Sequence, residues 1–89
     1  MSDIVDDFNS YRSKMNDKIL NEKSKVLNRI FNLDSNAFKP GALDRKTKEL
    51  LGLVASTVLR CDDCVQYHLE QCHKENISKT EVMESLEIA

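Results

Sequence analysis

The amino-acid sequence predicts an all-α protein. It contains two glycines and one proline in 89 residues, and no sustained alternation of Val, Ile or Thr with polar residues marks a strand. Apolar side chains recur instead every three or four positions, the spacing that places them on one face of a helix. Helix is therefore the only regular structure that the pattern favours.

Two amphipathic helices are expected in the first part of the chain. Spacings of four and three residues predict the first, on which the apolar positions are Ile4, Phe8, Tyr11, Met15 and Ile19. A similar stripe predicts the second, with Val26, Leu27, Ile30, Phe31 and Leu33. The polar segment 21–24 is the expected break between them, and the interspersed charges of the first helix are expected to face solvent.

A loop is predicted over residues 32–41, which are polar and end in Lys39-Pro40-Gly41. It separates an N-terminal helical segment, residues 1–38, from a second part, residues 39–89, and we expect the two to form one domain. A domain of this size buries proportionately little of its surface. Assembly into a homo-oligomer would add to that burial and is expected.

The next helix should lie at the centre of the second part. Asp44 is a suitable N-cap for a helix that runs to about Leu59. Its apolar positions are too numerous for a surface helix with one buried face. Glu49 lies at the start of this apolar run, so we expect a partly buried carboxylate there.

Two further helices complete the predicted fold. One begins near Cys61 and ends at about residues 75–76, where Asn76 can replace glycine as a C-terminal stop. The last follows residues 78–81, in which Ser78 and Glu81 have the spacing of a capping box.

Charge and hydropathy exclude several classes of partner. The 13 basic and 15 acidic side chains are interspersed and give a net charge of −2, which argues against nucleic acid and against a polybasic membrane anchor. The acidic N-terminus lacks a signal-peptide pattern, and no run approaches the ~20 apolar residues of a membrane span. A cytoplasmic location is the default expectation. In that compartment three cysteines indicate catalysis or metal binding more than a disulfide framework.

The segment Cys61-x-x-Cys64-x-x-x-His68, with Glu49 twelve residues before the first cysteine, indicates redox chemistry. On a helix Cys61, Cys64, His68 and Cys72 share one stripe, and His68 lies one turn beyond Cys64. An imidazole near a thiol can take its proton, and a thiol whose pKa falls below ~8.5 is a usable nucleophile near neutral pH. The second thiol can then resolve the product into a disulfide.

This chemistry requires a turn between Glu49 and Cys61. On one continuous helix the two would be ~18 Å apart at ~1.5 Å per residue. The turn is expected within residues 58–63, where the local signals are the β-branched residues 57–58 and the Asp62-Asp63 pair. The thiols would then lie in the first turn of a helix, whose unpaired N–H groups favour a thiolate. The two aspartates oppose a negative charge, so His68 is expected to be the main activator.

The spacing Glu49-x(11)-Cys61-x(2)-Cys64-x(3)-His68 resembles the signature of AhpD-like alkylhydroperoxidases, members of the carboxymuconolactone decarboxylase superfamily. The resemblance extends from about Lys39 to the C-terminus. It implies an AhpD-like helical domain, commonly oligomeric, in which Glu49 orients His68 directly or through a water, His68 deprotonates Cys64, and Cys61 is the disulfide partner. Characterised sites of this type carry a second histidine between the cysteines, where this chain has Asp62 and Asp63.

The resemblance also implies a reaction and its partners. A thiolate attacks a hydroperoxide, the resulting sulfenic acid is resolved to the Cys61–Cys64 disulfide, and an external dithiol or a lipoyl-bearing protein reduces that disulfide. Neither a bound cofactor nor a metal ion is required. The alternative functions are a non-catalytic helical assembly or redox-sensing module, and decarboxylation of a carboxymuconolactone, which needs acid and base groups rather than a dithiol.

Two other interpretations of the cysteines remain open from the sequence. The two cysteines could be small buried side chains that take part in no reaction. They could also bind zinc, with the ligands Cys61, Cys64, His68 and Cys72. On a straight helix the outer two would be ~16 Å apart, so one metal would need an unfolded helix or a site shared between subunits.

Four other residues near this segment have side chains of types that often act in catalysis or binding, but they are interpreted as structural. Cys72 is expected in the core, His73 at the surface, and Ser56 as a small packing residue. Tyr67 is expected to be a half-buried core residue, with a hydrogen bond to the site as the alternative.

Overall fold

The computed structural model describes residues 2–89, with side chains from residue 3 onward. The regular structure in that range is helical, which confirms the predicted fold class. The helices are α1 (Ser2–Asn21), α2 (Lys25–Ala37), α3 (Arg45–Val58), α4 (Asp62–Lys74) and α5 (Lys79–Ile88). None of them is long and apolar enough to cross a bilayer.

The chain separates into two compact units, one ending at Ala37 and the other formed by Phe38–Ala89. The prediction that residues 1–38 and 39–89 together form one domain stays a prediction. In the first unit α1 and α2 are joined at Lys23, whose φ of 56° reverses the chain within the predicted break.

The predicted loop over residues 32–41 is wrong in its first half, because α2 continues through Ala37. Leu33 follows Ile30 by three positions and extends the apolar stripe of α2 by one turn. The polar residues 34–36 are exposed. Polar side chains suit the solvent face of a helix as well as they suit a loop, so polarity alone did not distinguish the two.

In the second unit α3 packs against both α4 and α5. This confirms its predicted central position. Its Leu53 is completely buried and forms the core with Cys72 of α4 and Ile77, and four half-buried side chains pack around them: Leu50, Val65, Val82 and Leu86. Cys72 is thus a core residue, as expected.

Both predicted N-caps of this unit are present. Asp44 accepts a hydrogen bond from the backbone N–H of Thr47 at 2.8 Å and begins α3. Hydrogen bonding to Thr47 holds the pKa of Asp44 below its ordinary value. Ser78 and Glu81 form the reciprocal capping box that begins α5.

A Schellman motif ends α3 and produces the turn that the sequence required. Arg60 has a φ of 58° and donates its N–H to the carbonyl of Thr57 at 3.1 Å. The N–H of Cys61 reaches back to the carbonyl of Ser56, also at 3.1 Å. The chain therefore reverses within residues 58–63, as predicted, and α4 returns along α3.

The same motif ends α4. Asn76, the predicted C-terminal stop, has a φ of 58° and donates to the carbonyl of His73 at 3.1 Å. Ile77 donates to the carbonyl of Cys72 at 3.0 Å, and the side chains of these two residues meet in the core. The turn into α5 is thus fixed by main-chain bonds and by apolar contact.

Candidate functional site

The two cysteines lie where α4 begins. Cys61 is the N-cap of α4, with φ −92° and ψ 95°, so it precedes the helical stripe rather than being part of it. Its Sγ accepts the backbone N–H of Cys64 at 3.3 Å. The two residues form a disulfide across a Cα–Cα distance of 5.2 Å. Both sulfurs therefore lie at the end of the helix whose free N–H groups favour negative charge.

Glu49 and His68 face each other across the α3–α4 contact. The carboxylate of Glu49 is buried, with 1% of the residue exposed, and its Oε1 lies 2.9 Å from Nδ1 of His68. The expected carboxylate is thus fully rather than partly buried, and the contact is direct. An ionised carboxylate only accepts hydrogen bonds, so Nδ1 donates, and a neutral ring then carries its basic lone pair on Nε2.

Arg45 supplies a counter-charge for the buried carboxylate. Its Nη2 lies 3.6 Å from Oε2 of Glu49, one turn earlier on α3. The two carboxylate oxygens therefore face different partners, His68 on one side and Arg45 on the other. A buried charge with a partner on each side avoids much of the penalty of leaving water.

Two aromatic rings enclose His68. Phe38 stacks on the imidazole with centroids 5.2 Å apart and planes at 30°. Tyr67 meets it edge-on at 5.2 Å and 72°, and is half-buried, as expected. The His68 side chain is 11% exposed. Phe38 was not identified from the sequence, because it lies in the predicted loop and has no periodic partner there.

Gly52 was also missed. A Cβ atom at this position would lie 2.7 Å from Cε1 of His68, well inside van der Waals contact. An isolated glycine within a helical pattern is the only signal that the sequence gives of such a close approach.

The structure thus arranges the four predicted site residues in two pairs. A disulfide joins Cys61 to Cys64, and a hydrogen bond joins Glu49 to His68. On α4, His68 follows Cys64 by four residues, which places both on one helix face. After reduction of the disulfide, this arrangement can hold a thiolate at the helix end with an oriented base one turn away.

The remaining candidates take structural positions. Ser56 is buried and His73 is exposed, as expected. Within residues 2–89 no group of three or more His, Cys, Asp or Glu side chains is arranged to hold a metal ion. The zinc ligands considered from the sequence lie apart in the structure. Cys61 and Cys64 form the disulfide, His68 contacts Glu49, and Cys72 lies in the core.

We expect Cys72 to stay unreactive while Cys61 and Cys64 react in the reduced protein. Burial, with a smaller contribution from the charge of Glu49, raises the pKa of the Cys72 thiol to about 11. The folded protein therefore favours the neutral thiol. The preference of the folded protein for the neutral Cys72 thiol contributes to the free energy of unfolding. This contribution is complete below the ordinary thiol pKa of ~8.5 and is lost as pH rises towards 11.

Iodoacetamide labelling of the reduced protein between pH 7 and 9, read by mass spectrometry, checks this expectation. Cys72 should be labelled only after unfolding in urea, which serves as the control. Labelling of Cys72 in the native protein at the rate of the other two thiols would contradict the burial argument.

Comparisons with known proteins give one family. A model of the carboxymuconolactone decarboxylase family matches residues 24–89. A curated Paracoccus denitrificans protein, called uncharacterized protein 4 in cox locus, is 30% identical over 57 residues, covering 64% of this chain. The chain spans about half the length of that relative, 51%.

Two crystal structures from Thermotoga maritima share the fold over 92% of this chain. One has a TM-score of 0.90 at 52% identity and is covered over 72% of its own length. The other has a TM-score of 0.88 at 51% identity and is covered over 69%. The second is described as a carboxymuconolactone decarboxylase family protein with a suggested involvement in the antioxidative response.

Proposed function

Because the chain belongs to the carboxymuconolactone decarboxylase family, we propose that it is a thiol–disulfide oxidoreductase of the AhpD type that reduces hydroperoxides. The observation that carries the proposal is the Cys61–Cys64 disulfide at the start of α4, one turn before a histidine bonded to a buried carboxylate. The antioxidative role suggested for the Thermotoga maritima relative supports the same class of reaction.

In this proposal Cys64 is the thiol that attacks the peroxide. Nε2 of His68 is the base for its proton, because Nδ1 is bonded to Glu49. Glu49 positions the ring and stabilises the imidazolium that forms. The N-terminal end of α4 stabilises the resulting thiolate, although Asp62 and Asp63 partly offset this effect.

The proposed reaction proceeds in two covalent steps. The Cys64 thiolate attacks one peroxide oxygen, the O–O bond breaks, and the leaving alkoxide takes a proton from His68 to give an alcohol. The sulfenic acid on Cys64 is then attacked by the Cys61 thiol, which forms the disulfide and releases water. Two thiols are oxidised as one hydroperoxide is reduced to alcohol and water.

An external dithiol closes the proposed cycle. Its first thiolate attacks the disulfide to give a mixed disulfide, and its second thiol releases the reduced protein. A small dithiol or a lipoyl-bearing protein has the required chemistry. Cys61 and Cys64 are half-buried rather than enclosed, so a partner thiol can approach them.

A cytoplasmic homo-oligomer remains part of the proposal. Large apolar side chains are exposed on helices of both units, among them Ile30 and Leu33 of α2 and Met83 of α5. A second copy of the chain could cover such residues.

The proposal is tested by mixing the reduced protein with cumene hydroperoxide and dihydrolipoamide. We expect saturable peroxide consumption and, without the dithiol, one Cys61–Cys64 disulfide per peroxide consumed. Peroxide loss by colorimetry and disulfide formation by peptide mass spectrometry measure the two quantities. Cys72→Ala is the matched control and should retain both, because Cys72 lies in the core.

Two results would contradict the proposal. Absence of turnover in a folded protein whose thiols remain reversibly oxidisable would favour a redox-sensing or assembly module. Consumption of a carboxymuconolactone by a variant lacking both Cys61 and Cys64 would favour decarboxylation with Glu49 and His68 as acid and base.

A further inference from the structure

We infer that Gly52 is a positioning residue of this site, because the space left by its missing side chain keeps the His68 imidazole against α3 and bonded to Glu49. The placement of the ring follows from geometry alone. The effect of that ring placement on the reactivity of the Cys61 and Cys64 thiols rests on the proposed function.

Gly52 follows Glu49 by three residues, so the two lie on one face of α3 in successive turns. A Cβ built on Gly52 would lie 2.7 Å from Cε1, 2.9 Å from Nδ1 and 3.0 Å from Nε2 of His68. Carbon atoms in contact normally lie ~3.5–4.0 Å apart. The ring must therefore move away from α3 if any side chain occupies this position.

Because neighbouring residues enclose His68, a ring that moves away from α3 would lose its hydrogen bond to Glu49. Phe38 stacks on the ring and Tyr67 meets its edge, both at 5.2 Å. The segment that carries Phe38 is tied to α3 by a hydrogen bond from Nζ of Lys48 to the carbonyl of Lys39 at 2.6 Å. A ring enclosed in this way has little room to move while Nδ1 stays 2.9 Å from Oε1 of Glu49.

The backbone gives no reason for glycine at position 52. No described glycine has a positive φ, and Gly52 lies in the interior of α3. Glycine weakens a helix interior relative to alanine because it loses more conformational freedom on folding. The close approach of His68 explains why the less stable residue is present.

The test combines Gly52→Ala with His68→Ala in a cycle of four proteins. In the wild-type background we expect Gly52→Ala to abolish the 15N NMR signature of a hydrogen-bonded Nδ1–H on His68. We also expect it to slow iodoacetamide labelling of Cys64 at pH 7 by about tenfold or more, as for loss of a positioned base. In the His68→Ala background the same change should raise the melting temperature, because only the gain in helix propensity remains.

Gly41→Ala is the matched control. A Cβ at Gly41 would meet only Nζ of Lys48, at 3.8 Å, which is an ordinary contact. This variant should keep both the NMR signature and the labelling rate of the wild type.

An unchanged Nδ1–H signature and labelling rate in Gly52→Ala would overturn the inference. If Gly52→Ala alone fails to fold, recovery of folding in the double variant with His68→Ala supports it, and continued failure overturns it. Loss of the NMR signature in a protein whose wild type shows no peroxide turnover would support the positioning role and reject the proposed function, so the two are separable.

Discussion

Cys61→Ser is expected to remove internal disulfide formation while leaving the fold intact. Serine is a favoured N-cap residue, and its hydroxyl can accept the Cys64 N–H that Cys61 Sγ accepts at 3.3 Å. The variant should therefore consume about one equivalent of hydroperoxide and stop at a Cys64 sulfenic acid. Steady-state turnover with a dithiol should fall about a hundredfold or more, because resolution by a neighbouring thiol gains a large effective concentration.

Cys64→Ser is the companion variant and should consume no peroxide, since it lacks the thiol that we propose attacks the peroxide. Trapping of the sulfenic acid with dimedone, followed by mass spectrometry, distinguishes the two variants. The reverse pattern, with a trapped adduct on Cys61 in Cys64→Ser, would reverse the order of attack. Peroxide consumption at the wild-type rate by both variants would mean that neither thiol is the nucleophile.

Leu53→Ala is expected to have the largest effect on stability. Leu53 is completely buried and packs on Cys72 and Ile77 between α3 and the helices that follow it. Truncation of a leucine in such a core typically costs ~2–5 kcal/mol, from lost apolar burial and from the cavity left behind. In a domain of this size, each kcal/mol lowers the melting temperature by about 4–8 °C.

Leu51→Ala is its control on the same helix. Leu51 is 55% exposed, so truncation of its side chain should change the free energy of unfolding by no more than about 0.5 kcal/mol. Urea unfolding followed by circular dichroism measures both variants. Equal losses would show that the core of the second unit is not centred on Leu53.

Local signals predicted most of the second unit. Asp44, Ser78 and Asn76 have side chains that suit helix termini, and each ends or begins a helix as predicted. The resemblance to the AhpD-like signature also implied that Glu49 orients His68, and the structure places its carboxylate against that ring. These features depend on nearby residues or on a fixed spacing, so they can be recognised in one sequence.

Features that depend on the folded chain were not predicted. Arg60 adopts a left-handed backbone conformation because the Schellman motif requires it. An arginine side chain does not favour that conformation, so the residue type did not predict it. Phe38 and Gly52 contribute to the site only through their distance to His68. The end of α2 was misplaced because polar residues suit both a loop and an exposed helix face.

The main-chain turn at Arg60 makes the site sensitive to the number of residues between Glu49 and the thiols. The turn fixes where α4 starts, so the position of Glu49 relative to the thiols is set by the number of residues between them. One residue inserted or deleted between Glu49 and the end of α3 would rotate Glu49 by about 100° relative to the turn and shift it ~1.5 Å along the axis, away from His68. Within the eleven residues that separate Glu49 from Cys61, a substitution disturbs the site only where the side chain contacts it, as at Gly52, whereas a change in the number of residues displaces the carboxylate itself.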